Sequence, residues 1–165
     1  MILILMLTLL SMISITDPTV VVTGRESMIK KFQIARIESA QQLTTTWAMH
    51  YGVKPNQLNR KVIPFVDVNF VTHEVIAIFS GPVIDSDCLS PIKLVHQGTS
   101  VTVVYQQSHY TEYNRAAEGS TYAFIVLPRA KAPIKVIEQI AIPLGGNQFQ
   151  YKYKERAYLH EAKTP

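Results

Sequence analysis

The sequence has a single cysteine, Cys88, among 165 residues. That excludes an internal disulfide and a cysteine-based metal cluster. It also lacks a Gly-x-Ser-x-Gly elbow, a phosphate loop and a dinucleotide fingerprint. The common sequence-borne routes to hydrolase and nucleotide chemistry are therefore missing. Five histidines occur, His50, His73, His96, His109 and His160, and no two stand four apart. A helix face presenting two imidazoles to one metal is excluded. His73-Glu74 has no following histidine partner, so it is not the zinc-protease helix motif. Charge is scarce: 17% of residues are charged and the net charge is +4. This is too small and too scattered to argue nucleic-acid binding. No internal repeat or low-complexity segment interrupts the chain. With 47% hydrophobic residues, it is expected to fold as one domain that buries about two-thirds of its unfolded surface.

The N-terminus also lacks charge. No charged side chain precedes Asp17, and Ile2 to Ile15 is dominated by Ile, Leu and Met. The run falls short of the roughly 20 residues of a membrane span. It fits the apolar core of a secretory signal over residues 1–16. No Lys or Arg precedes the run, and Ser14-Ile15-Thr16 is the nearest small-residue exit. An uncleaved anchor and a buried N-terminal segment are the alternatives. The expected location is extracytoplasmic, periplasmic or secreted, with membrane contact only through an uncleaved N-terminal segment.

What is present is organised around Val75-Ile76-Ala77-Ile78-Phe79, bounded by Gly81-Pro82. A short apolar run of β-branched and aromatic residues closed by Gly-Pro reads as a strand buried on both faces. Thr19–Thr23 and the imperfectly alternating Lys31–Glu38 read as further strands. Ser39-Ala40-Gln41-Gln42 is a capping box that starts a helix. Leu43, Trp47 and Tyr51 recur every fourth residue along it, and Gly52 supplies its C-terminal cap. Trp47 is expected to dock this helix onto the sheet. Ile92–His96 and Val101–Tyr105 flank Gln97-Gly98-Thr99-Ser100 as a hairpin. Tyr122–Leu127, stopped by Pro128, reads as a second strand buried on both faces. Ile134–Glu138 reads as a last core strand, with Pro143 and Gly145-Gly146 ending the domain. Gln148 to Lys154 alternates aromatic and polar residues and suits an extra edge strand in a C-terminal extension, 147–165.

Together these pieces predict a mainly β, α+β fold over residues 17–146. Seven or eight strands would form an antiparallel sheet or sandwich with one packed helix. Two polar stretches stand out as surface loops. Gly81–Pro91 holds Asp85, Asp87 and Cys88 between two prolines, and Gln106–Ser120 holds His109, Tyr110, Tyr113 and Arg115. These seven residues are the candidate partner-contact set. Asp85 and Asp87 alone are too few to hold a cation, so they read as turn residues. Cys88 as a nucleophile would need His96 or His109 brought to it by the fold. The simpler reading is a small, partly buried thiol. No catalytic residue, metal or cofactor is assigned. The aromatic–lysine tail has the mix found in nucleic-acid binders, but an exported protein rarely meets nucleic acid, and that partner is not expected.

One resemblance ties these pieces together. A helix containing Trp47 and ending Ala48-Met49-His50-Tyr51-Gly52 precedes Val68-x-Phe70; Val75 to Gly81, a hairpin and Tyr122 to Pro128 follow. Over roughly Leu43 to Val136 this resembles the PrcB-like C-terminal domain family, small β-rich bacterial domains named after a protease-complex subunit. Asn69 stands where that pattern has Asp. Asp85-Ser86-Asp87-Cys88 replaces its Gly-Gly-Tyr loop, and Thr121 replaces its Pro. The resemblance implies a non-catalytic extracytoplasmic protein that stabilises or accompanies a secreted protease. A protease inhibitor acting through the two polar loops is the alternative. An enzyme ranks behind both, because no catalytic constellation is visible.

Overall fold

The structure, a computed structural model, describes residues 13–58, 67–84, 86–109, 118–146 and 148–160. Its organising strand is β4 (His73–Ile84). Val75, Ile76, Ala77, Ile78 and Phe79 are all fully buried, because β4 lies inside a sheet covered on both faces. Its neighbours are β3 (Gln33–Ile37) and β7 (Glu118–Pro128), and β2 (Val20–Gly24) extends the sheet beyond β7, giving the order β2-β7-β4-β3. The other sheet contains β1 (Ile13–Thr16), β5 (Ser86–Gln97), β6 (Ser100–His109), β8 (Ile134–Gly145) and β9 (Gln148–Leu159), in the order β1-β5-β6-β8-β9. Nine strands among the described residues slightly exceed the seven or eight expected, and the mainly β sandwich with one helix is as anticipated. All ladders are antiparallel except β6 with β8. The chain leaves β6, crosses to the other sheet as β7, and returns as β8.

Side chains alternate across a strand, so one strand can feed two cores. Ile76 and Ile78 of β4, with Ala123, Ile125 and Leu127 of β7, point between the sheets. They meet Leu94, Val103, Ile134 and Val136 from the opposite sheet. Val75, Ala77 and Phe79, with Phe124 and Val126, point the other way and meet Leu43 and Trp47 of the helix α1 (Ala40–Tyr51). The fold is thus three layers: five strands, four strands, one helix. Burying each large apolar side chain contributes about 1.5–3 kcal/mol, which makes the centre of β4 and β7 the main source of cohesion.

The ends of α1 follow their caps. The Ser39 Oγ accepts from the Gln42 N–H at 3.2 Å, and Gln42 Oε1 accepts from the Glu38 N–H at 2.7 Å. The return bond of the box therefore lands one residue earlier than the usual pattern. Gly52 ends the helix at φ 69. Trp47 docks as expected, with its ring centroid 4.4 Å from that of Phe124. The buried stripe, however, is Leu43, Thr46, Trp47 and His50. Tyr51 is 48% exposed, because a strict every-fourth spacing drifts around a helix of 3.6 residues per turn.

Three prolines and one glycine make the main departures from expectation. Gly81-Pro82 does not stop β4; the strand passes through a register shift between Phe79 and Pro82 and runs on to Ile84. Gly81 sits at φ 74, and a Cβ there would lie 3.1 Å from the Phe32 amide nitrogen. Pro82 is tolerated because β3 pairs only as far as Phe79, so among the described residues β4 has one neighbouring strand there. Pro91 falls in the irregular step between Leu89 and Ile92 of β5. Pro143 falls in β8 beyond the end of its pairing with β6. The segment Gly81–Pro91 is therefore ladder on either side of Asp85. Likewise the last core strand extends to Gly145 and does not end at Glu138.

Candidate functional site

Of the seven candidate contact residues, Asp85, Tyr110, Tyr113 and Arg115 lie outside the described residues. Asp87 lies on β5 and His109 ends β6. Ser86 stands opposite His109, Cys88 opposite Ser108, and Ile84 of β4 opposite Glu118 of β7. The topology thus brings the two segments read as separate loops to one end of the sandwich, as strand ends. Cys88 is half-buried and borders an open cleft of about 400 Å³ between β5 and the Asp17–Thr23 stretch. Among the described residues, no group of three or more His, Cys, Asp or Glu is placed to hold a metal. Among them too, no helix is long and apolar enough to cross a membrane.

The buried ionisable groups form two clasps. Glu74 is fully buried. Its Oε2 accepts from Arg36 Nε at 2.6 Å, and its Oε1 accepts from the Ala130 N–H at 2.8 Å. Arg36 Nη2 donates to the Ala130 carbonyl at 2.6 Å, and Nη1 reaches the Leu159 carbonyl at 3.5 Å. One guanidinium thereby ties β3, β4, the β7–β8 connection and the end of β9. In the second clasp, Arg156 pairs with Glu138 through both Nε and Nη2, and stacks over the Phe32 ring at 5.1 Å. Tyr105 lies beside this pair. Burial and the neighbouring Glu138 charge push its phenol well above the ordinary value, against the opposing pull of Arg156. A buried charge is tolerated when its partners and hydrogen bonds are complete. These groups are committed to holding strands together.

His50 is 2% exposed and its Nδ1 has no hydrogen-bond partner among the described residues. Its ring lies 4.1 Å from Tyr122, 4.9 Å from Tyr51 and 5.2 Å from Trp47, centroid to centroid. Burial pulls its pKa down to about 4, so the imidazole is neutral at pH 7. Tyr122 is raised by burial first, then by Tyr51 and Glu26. This aromatic nest is a packing site between α1 and the sheet.

The open part of the molecule is the far half of the β8–β9 hairpin. β6 pairs with β8 only as far as Gln139. Beyond it, Ile140 to Gly145 have β9 as their only neighbouring strand among the described residues. Directly opposed residues share a face. The pairs Gln139–Tyr153, Ala141–Tyr151 and Pro143–Phe149 therefore form one face, and Ile140–Lys152 and Ile142–Gln150 the other. Phe149 is 52% exposed, Tyr153 65% and Leu144 63%. Where β6 parts from β8, a cleft of about 480 Å³ opens between Gln106 and Gln107 on one side and Gln139, Ile140 and Phe149 on the other. The aromatic–lysine alternation in Gln148–Lys154 was legible as an edge strand; its projection beyond the sandwich was not, because that depends on where β6 ends.

Comparison with known protein families, with curated proteins and with solved structures yields no match.

Proposed function

We propose that the chain is a non-catalytic accessory protein that works outside the cytoplasm and binds a protein partner, stabilising or accompanying a secreted protease. One observation carries the reading. The buried carboxylates Glu74 and Glu138 are bonded to guanidinium and backbone groups, whereas apolar and aromatic surface is left open on a projecting hairpin. An interior spent on cohesion and an exterior with exposed aromatics suit recognition. The protease in this reading comes from the PrcB-like resemblance, and the location from the apolar N-terminus. Ile13–Thr16 pairs with Leu94–Gln97 as β1, so removal of residues 1–16 would make β5 an edge strand.

The test is expression of the full chain in a bacterial host with a secreted protease, followed by fractionation, intact mass and chemical crosslinking. The expected result is an extracytoplasmic protein that co-purifies with the protease and preserves its activity. Stoichiometric loss of protease activity would replace the reading with inhibition. A cytosolic product retaining Met1 to Thr16 would overturn the location.

A further inference from the structure

The geometry points to the outer edge of β9, from Gln148 to Lys154, as a docking edge for an extended partner segment in which acidic and apolar residues alternate. This rests on the reading that the protein binds another protein. Three observations converge on it. β9 is the last strand of its sheet, so its outer backbone edge meets no strand among the described residues. Such an edge is a template for one more strand. Its base is already covered, since Arg36 reaches the Leu159 carbonyl and Arg156 stacks on Phe32. The free part thus runs along the projecting arm and the two residues behind it, Gln148 to Lys154, about seven residues or roughly 23 Å of strand.

The second observation is charge. No acidic residue occurs from Gln139 through Lys154. At the base, Lys135 pairs with Glu155 at 2.7 Å and Arg156 with Glu138. Lys152 and Lys154 are exposed and have no ion-pair partner among the described residues. The third is the pattern of faces. Lys152 and Lys154 fall opposite Ile140 and Glu138 on one face, while Tyr151 and Tyr153 fall opposite Ala141 and Gln139 on the other. An added strand whose carboxylates alternate with β-branched residues sets one kind against the lysines and the other against the tyrosines.

A second copy of the chain fits less well. Antiparallel self-pairing centred on Lys152, Tyr153 or Lys154 sets a lysine against a lysine, which is destabilising, and the register centred on Tyr151 sets both lysines against glutamines and gives them no countercharge. A lipid surface fits less well too, because Gln148 and Gln150 interrupt the apolar end of the arm.

The test uses a fluorescein-labelled peptide of about eight alternating valines and glutamates, read by anisotropy against the full chain. Controls are the same peptide with proline at alternate positions, which cannot complete a ladder, and a valine–lysine peptide. Expected is salt-dependent binding of the acidic peptide alone, with slowed hydrogen exchange in β9. The double variant K152E/K154E should bind it about tenfold more weakly, the scale of two exposed ion pairs, and should gain binding of the valine–lysine peptide. Unchanged thermal melting of that variant confirms its fold. Absence of binding near millimolar peptide, equal binding of the proline peptide, or indifference to K152E/K154E overturns the proposal. So does lysine-dependent self-association in sedimentation, or lysine-dependent capture by vesicles of phosphatidylglycerol. Because the probe is synthetic, a negative result leaves the co-purification test above untouched.

Discussion

β4 and β8 are both twelve-residue strands, rich in isoleucine and valine and each holding a late Gly or Pro. Their fates differ. Every apolar residue from Val75 to Phe79 is sealed, whereas β8 buries only alternate residues, Ile134, Val136 and Glu138, and then opens to solvent. The difference lies in the neighbours. β4 has β3 and β7 beside it, α1 on one face and the second sheet on the other. β8 loses β6 at Gln139 and, among the described residues, continues with β9 alone. Apolar composition nominates a strand for burial; the length of the flanking strands decides how much of it is buried.

Charges give the sharpest way to break this contrast. Glu74→Ala should destabilise the protein by about 3 kcal/mol, because it removes the carboxylate bonded to buried Arg36, leaves only that of Glu38 at 3.6 Å, and orphans the Ala130 N–H. Glu155→Ala, which removes the exposed pair with Lys135, should cost less than about 1 kcal/mol. Urea midpoints of the two variants measure the difference directly, and comparable losses would contradict the sealed-versus-open division. Isoleucines extend the comparison to packing. Ile76→Ala, at a fully buried site, should cost about 2–5 kcal/mol. Ile140→Ala, at a site 38% exposed, should cost under about 1 kcal/mol.

The helix-side core has its own signature in pH. His50 titrates near its ordinary value of 6.5 in the unfolded chain and at about 4 in the folded one. Between these values the unfolded state binds the extra proton. Stability contributed by the neutral ring is therefore complete above pH 6.5 and is lost as pH falls towards 4. The loss is of the order of 3 kcal/mol. Denaturant unfolding at pH 7 and pH 4 should show it in the parent chain, and His50→Phe should remove that part of the pH dependence. An unchanged slope in the variant would mean that the imidazole is not the acid-sensitive group.

Much of this fold was legible where a local rule coincided with the tertiary answer. The apolar runs at Val75 and Tyr122 are buried on both faces because central strands of covered sheets need apolar residues at every position. Ser39, Gln42 and Gly52 mark the helix because caps are local chemistry. Prolines misled for a physical reason. Pro82 and Pro143 would end a strand flanked on both sides, but each sits where one flanking strand has already stopped. In the sequence His50 is one histidine among five, because its burial depends on the 3.6-residue period that displaces Tyr51 from the stripe. The candidate contact residues sit in polar stretches that the sequence alone presents as loops. Their segments do meet at one end of the sandwich, but as strand ends.

The smallest expected effect is the most discriminating for the arm. Tyr153→Ser removes a large ring that is 65% exposed and opposed across the ladder by Gln139. If the ring serves the fold, its loss should cost on the scale of a buried cross-strand pair, up to about 1 kcal/mol beyond its own burial. If it is held outward for recognition, stability should change by less than about 0.5 kcal/mol, as for surface substitutions generally. Exposed aromatic side chains on a two-stranded ribbon also carry a cost, since they raise the risk of edge-to-edge association. Tyr153→Ser should therefore leave the urea midpoint in place while raising the concentration at which light scattering first detects aggregates. A stable midpoint with improved solubility would mark this face as one kept for a partner at some expense to the isolated protein; a falling midpoint would return Tyr153 to the core.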